Sequence, residues 1–143
     1  MMTHPVQSQR TFAERVCEAT NSHDIERVLA CFTEDYVNET PAHPARGFRG
    51  RDQVRRNWTQ IFAAVPDLHS EILRSDQAGD TVWSEWEMRG TRKDGARHLM
   101  RGVMIFTVEG DRASGVRFYL EPVEQDGVDA DTALQQTLTQ ARP

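Results

Sequence analysis

The chain has 143 residues, a formal charge of −5 and a sequence pI near 5.5, which bounds it to a single domain, with a core over about residues 8–124 and a weakly structured tail over 125–143. Its arginines are interleaved with acids rather than clustered, which argues against nucleic acid or an anionic membrane as partner. Residues 1–10 hold no apolar run of signal-peptide length, and nowhere do 18 apolar residues follow one another, so the expected location is cytoplasmic.

Phe12, Val16 and Ala19 share one face of a helix predicted over residues 8–20. Asn21-Ser22-His23-Asp24 breaks it, Ser22 or Asp24 caps a second helix, and Ile25, Val28, Leu29 and Phe32 form its apolar stripe. A short strand over 36–40 stops at Pro41, and a loop runs to Gly50. A third helix over 52–64 buries Val54, Trp58, Ile61 and Phe62. The period then changes to two, giving strands over 68–75, 81–91, 98–109 and 114–122, with turns at 77–80, 92–95 and 109–111. The order is ααβαββββ, an α+β architecture in which a sheet curls around a pocket lined by helices. In the tail, Ala130, Leu134 and Leu138 make a short stripe behind Asp129 or Asp131. Cys17 and Cys31 lack Cys-x-x-Cys spacing and read as small buried hydrophobes.

With that order in hand, several pieces resemble the SnoaL-like branch of the nuclear transport factor 2-like superfamily, which includes ketosteroid isomerases and polyketide cyclases. They are Asn21-x-His23-Asp24-Ile25, Cys31-Phe32-Thr33-Glu34-Asp35-Tyr36, Gly50-Arg51-Asp52, Gly79-Asp80-Thr81-Val82-Trp83, Arg89-Gly90-Thr91, Asp94-Gly95 and Arg117-Phe118-Tyr119-Leu120-Glu121-Pro122, and they span most of residues 11–123. The resemblance implies a cone-shaped α+β barrel, a curved antiparallel sheet wrapped around helices. It does not imply one function, because this scaffold hosts enzymes, binders and association modules. The isomerases use a helix tyrosine and a protonated aspartate as oxyanion hole and a second aspartate as base. Matching places Val16, Met104 and Thr40 at those positions, and Phe118 where relatives often carry an acid. The resemblance therefore implies a pocket of this family with its usual acids replaced.

Strand alternation sorts the faces. Val82, Ser84, Trp86 and Met88 go inward with His98, Met100, Gly102, Met104, Phe106, Val116, Phe118 and Leu120. Trp58, Trp86, Met88, Met100, Met104 and Phe118 are the expected apolar walls of a ligand pocket, with Tyr36, Asn38, Thr40, Ser84 and His98 as its polar groups; a filled core is the alternative reading. His98 is a candidate acid or base, or a histidine at the rim. His43 either guards the mouth or serves a turn with Pro44. Glu39, Glu85, Glu87 and Glu121 fall outward, Glu85 or Glu87 toward Arg101 and Glu121 toward Arg117, unless a bulge in the last strand turns Tyr119 or Glu121 inward. The histidines at 4, 23, 43, 69 and 98 have no metal-ligand spacing, Gly47-x-x-Gly50 falls short of a phosphate loop, and no Ser-His-Asp order is present. No metal and no cofactor is implied.

Three classes of function stay open: a cofactor-independent enzyme of cyclase, isomerase or hydrolase type acting on a hydrophobic small molecule, a non-catalytic binder of such a molecule, or an association module with a filled cone. Any chemistry falls to Tyr36 and Asn38 as donors to a developing oxyanion and to His98 or a water as proton carrier. Trp83, Glu85, Arg101, Val103, Ile105, Arg117 and Tyr119 give the outer sheet face an apolar stripe expected to pair two copies of the chain.

Overall fold

The computed structural model describes residues 11–140. The first helix, α1 (Phe12–Ser22), starts in a capping box: Thr11 Oγ1 accepts from the Glu14 amide at 3.1 Å, and Glu14 Oε1 accepts from the Thr11 amide at 3.0 Å. Residues 8–10, where its predicted start falls, lie outside the described residues. The helix closes at His23, the one non-glycine described residue with positive φ, at 57°. That conformation is held from two sides, by stacking on Phe62 at 4.4 Å and by a hydrogen bond between Nε2 and the Leu68 carbonyl at 2.9 Å. Asp24 then caps α2 (Ile25–Leu29) by accepting from the amides of Glu26 and Arg27.

Here the structure departs from the predicted helix. The stripe ending at Phe32 belongs to α2 only as far as Leu29; Phe32 opens β1 (Phe32–Glu39) instead. Phe32 is buried in the extended chain, as it would be in a helix, so the apolar pattern does not separate the two states. What decides is a distant pairing: Phe32 lies opposite Ala113, and the Ala113 amide donates to the Cys31 carbonyl at 2.8 Å. Beyond a turn of 3₁₀ helix at Pro44–Arg46, the loop contains a two-residue strand, β2 (Phe48–Arg49), which has no period to reveal it. After it comes α3 (Arg51–Ala64).

The remaining strands are β3 (His69–Ala78), β4 (Thr81–Thr91), β5 (Arg97–Glu109) and β6 (Arg112–Pro122). They form the expected antiparallel meander. The whole six-stranded sheet runs β2-β1-β6-β5-β4-β3 and is curved and unclosed. It is mixed rather than wholly antiparallel, because β1 joins β6 in parallel register, Asn38 opposite Val116 and Glu39 opposite Arg117. A shift in register between Thr107 and Val108 marks a bulge near Ser114, ahead of the residues that wall the interior, so Val116, Phe118 and Leu120 keep one parity.

On the inner face Val82, Ser84, Trp86 and Met88 are buried in alternation. Trp86 is fully enclosed and lies opposite Gly102. Gly102 has φ of 154°, and a Cβ there would sit 2.1 Å from the Tyr119 carbonyl oxygen, so only glycine fits where β5 and β6 approach. α1 packs on β3 through Asn21, whose side chain accepts from the Ser70 amide at 2.6 Å and donates to its carbonyl at 2.9 Å. This gives the Asn21 of the family-like motif a structural job. α3 packs against α2 and β1.

On the outer face Glu87 bridges Arg89 and Arg101, each at 3.0 Å. The expected pair between Glu121 and Arg117 does not form. Residues four apart on one strand are about 13 Å apart, so Arg117 takes its parallel neighbour Glu39 at 3.2 Å and Glu121 takes His43 at 3.3 Å. Cys17 and Cys31 are half-buried free thiols, and burial pushes both upward in pKa. Helix α4 (Ala130–Thr139) is capped by Asp129 and leaves Leu134 and Leu138 exposed. No described helix is long and apolar enough to cross a membrane.

Candidate functional site: an apolar cavity with a polar strand

Between α3 and the inner faces of β5 and β6 lies a cavity of about 380 Å³, within the range of small-molecule sites. Strand β1 supplies one wall. Its residues 36, 38 and 40 share a face by alternation, and all three line the cavity as Tyr36, Asn38 and Thr40. Phe48, opposite Asn38 on β2, continues that wall. Trp58 and Ile61 approach from α3, Met88 from β4, His98, Met100 and Met104 from β5, and Phe118 and Leu120 from β6. The three positions matched to the isomerase acids and tyrosine, Val16, Thr40 and Met104, all reach this cavity. No aspartate or glutamate among the described residues lines it.

One residue expected as a wall and one expected as a polar group of the pocket lie elsewhere. Trp86 and Ser84 share the inward parity but are sealed beneath the cavity. The Trp86 indole N–H donates to Ser84 Oγ at 2.8 Å, and that hydroxyl donates to the Met104 carbonyl at 2.7 Å. Both are thus satisfied core residues. Alternation assigns a face, not a depth, and the missing side chain at Gly102 lets the indole sink. Conversely, Arg46 and Asn57 line the cavity without having been singled out. The helical spacing offered a signal for Asn57, three residues after Val54 and four before Ile61; nothing in the local pattern marked Arg46.

The polar groups form a graded set. Thr40 Oγ1 donates to Asn38 Oδ1 at 3.2 Å. Tyr36, only 4% exposed, has its pKa pushed well above the usual phenol value by burial, with the Asn38 side chain pulling the other way. The phenol therefore stays protonated, with the Asn38 side chain as its hydrogen-bond partner. His98 is half-buried, and its pKa is lowered first by burial and then by the charge of Arg92, so the ring is neutral near pH 7. His43 does not line the cavity; it ties the β1–β2 loop to β6 through Glu121. Among the described residues no group of three or more His, Cys, Asp or Glu is gathered as a metal site.

A strongly curved sheet around α3 and an N-terminal helix pair, enclosing a hollow lined by β1, β5 and β6, is the architecture of the nuclear transport factor 2-like proteins, and solved structures agree. A hypothetical protein with a ketosteroid isomerase-like fold from Catenulispora acidiphila, in complex with trimethylamine, aligns with a TM-score of 0.66 at 17% identity over 76% of this chain and 84% of its own. An epoxide hydrolase of LEH-like type from M. tuberculosis gives 0.65 at 20% identity over 77% and 80%. A cystatin-fold protein from Novosphingobium aromaticivorans gives 0.62 at 25% identity over 76% and 94%. The family model of the SnoaL-like domain matches residues 13–116, and the chain belongs to that family. No curated protein matches it.

Proposed function

We propose that the cavity takes a hydrophobic small molecule carrying an oxygen acceptor and acts on it without a cofactor. One observation carries this reading: the buried Tyr36 hydroxyl and its hydrogen-bond partner Asn38 form a polar pair on the wall of an otherwise apolar hollow. A few polar groups in an apolar wall are what orient a small molecule, and a carbonyl or epoxide oxygen of a ligand is the acceptor that this pair suits. Because its pKa is raised, Tyr36 donates without ionising, as a stabiliser of developing negative charge must. Asn38 is placed to assist it, and neutral His98 or a bound water moves the proton. The apolar walls hold the ligand and exclude water.

The absence of a carboxylate among the lining residues favours a second reading, a pocket that binds the same class of molecule without turning it over. A thermal-shift screen with tetralone and related cyclic ketones, followed by turnover assays on the hits, separates the two. Under the enzyme reading Tyr36→Phe lowers kcat by on the order of a hundredfold while KM changes little. Binding without turnover leaves the binder, and no stabilisation by any ketone rejects both. We propose also that the outer sheet face pairs two copies, since Trp83 is 52% and Tyr119 36% exposed there; light scattering that gives the 16.3 kDa monomer mass would overturn it.

A further inference from the structure

The rim of the cavity is electrostatically one-sided. Its lining contains one permanently charged side chain, Arg46, and no acid to neutralise it. Arg46 ends the 3₁₀ turn Pro44–Arg46, two residues before Phe48, which lies opposite Asn38, and it lines the cavity from this loop between β1 and β2. The Arg46 guanidinium is exposed and makes no ion pair or hydrogen bond with any described residue. The carboxylate bound to this loop, Glu121, is already taken by His43. By contrast, several arginines on the outer surface, Arg55, Arg89, Arg101 and Arg117, are paired with glutamates.

The neighbouring rim groups point the same way. Asn57 Oδ1 accepts from Gln53 Nε2 at 2.8 Å, which leaves the two N–H donors of its own amide free for the cavity. His98 adds a ring nitrogen on the opposite wall. A guanidinium fork and an amide donor, with no competing carboxylate, match a ligand group that only accepts hydrogen bonds, and a planar carboxylate does so bidentately. The rest of the lining is aromatic and thioether surface.

From this juxtaposition we propose that the ligand is a hydrophobic carboxylic acid bound as its anion, its ring or chain inside among Trp58, Met104 and Phe118 and its carboxylate at the rim on Arg46 and Asn57. This rests on the reading of the cavity as a small-molecule site and names the class of molecule it takes. A cationic ligand meets an unneutralised arginine at the entrance, and a neutral one leaves the guanidinium without a partner. Arg46 is a specificity residue in this arrangement, remote from the Tyr36 end where an oxygen would be activated.

Three probes of one shape separate the head group from the body: naphthalene carboxylate, naphthalene carboxamide and naphthylmethylammonium, titrated calorimetrically at neutral pH. The carboxylate is expected to bind on the order of tenfold or more tighter than the carboxamide, and the ammonium most weakly. Arg46→Gln should remove that preference by weakening the carboxylate far more than the carboxamide, with the melting temperature unchanged, and Arg46→Lys should retain part of it. Arg49→Gln, next to Phe48 on β2 and so on the opposite face of that strand, should leave the preference intact. If the carboxamide binds as tightly as the carboxylate, or if Arg49→Gln weakens the preference as much as Arg46→Gln, the anion assignment falls and the cavity reading stands. If none of the three probes binds, both fall.

Discussion

The inner surface of the sheet has two regions built from the same kind of strand, one solid and one hollow. Under β4 and the facing part of β5, Trp86 fills the space opened by Gly102, its N–H is satisfied by Ser84, and Phe12 of α1 meets Phe106 edge-on at 5.0 Å. Every polar atom of the Ser84–Trp86 pair has a partner within the protein. Between β1, β6 and α3 the side chains are just as large, yet Trp58 and Phe118 are only partly buried and the polar groups of Tyr36, Asn38 and Thr40 line a hollow. The difference lies in the helix. α1 lies on β3 and reaches β4, whereas α3 rests on α2 and β1 and stands off from β5 and β6. A close-packed region seals its polar groups within the protein; a region with a hole in it displays them to whatever enters.

The largest expected effect tests this division directly. Trp86→Ala removes a fully enclosed ring and should cost about 4 kcal/mol of unfolding free energy, whereas Phe118→Ala, on the cavity wall, should cost about 1 kcal/mol and chiefly weaken ligand binding. Urea denaturation of both variants checks the contrast, and equal losses would mean that the two regions are packed alike. Next comes Gly102→Ala, where the added methyl collides with the β6 backbone. It should destabilise by about 2 kcal/mol and, by letting β5 and β6 part, alter the cavity as well; unchanged stability would show that the sheet does not need glycine there.

The smallest effect is a pH dependence from the hollow side. The His98 pKa is lowered in the folded chain from a reference of 6.5, so the unfolded chain takes up this proton first as pH falls. Stability contributed by neutral His98 is full above pH 6.5 and declines below it toward the folded pKa. The lowered carboxyls of Glu26, Asp67, Glu87 and Asp129 lose their contribution only at lower pH, beneath references of 4.5 and 3.8. His98→Gln should therefore flatten the urea midpoint between pH 6.5 and about 5 and leave the acid limb untouched. An unchanged slope in that window would mean that another group carries it.

The sequence by itself determined the element order, the period switch near residue 67, and the side of the sheet on which each residue of β4, β5 and β6 falls, and it narrowed two helix caps to Ser22 or Asp24 and to Asp129 or Asp131, of which the structure uses Asp24 and Asp129. These are local quantities: a period of two, or an oxygen two residues before an orphan amide, acts over a few residues and is written in them. It also brought Tyr36, Asn38, Thr40, Trp58, Met88, His98, Met104 and Phe118 to one interior, because alternation and a helical stripe suffice to choose the inward face. Tertiary structure alone decided that Phe32 is extended, since its partner Ala113 lies 81 residues on. It decided that β1 runs parallel to β6, that Trp86 sinks opposite Gly102 while Trp58 does not, and that Arg46 arrives at the rim on the 3₁₀ turn ahead of β2. Depth, vacancy and the pairing of one charge rather than another depend on how far α3 stands from the sheet and on which distant side chain comes to rest alongside, and neither quantity is encoded in any short stretch of chain.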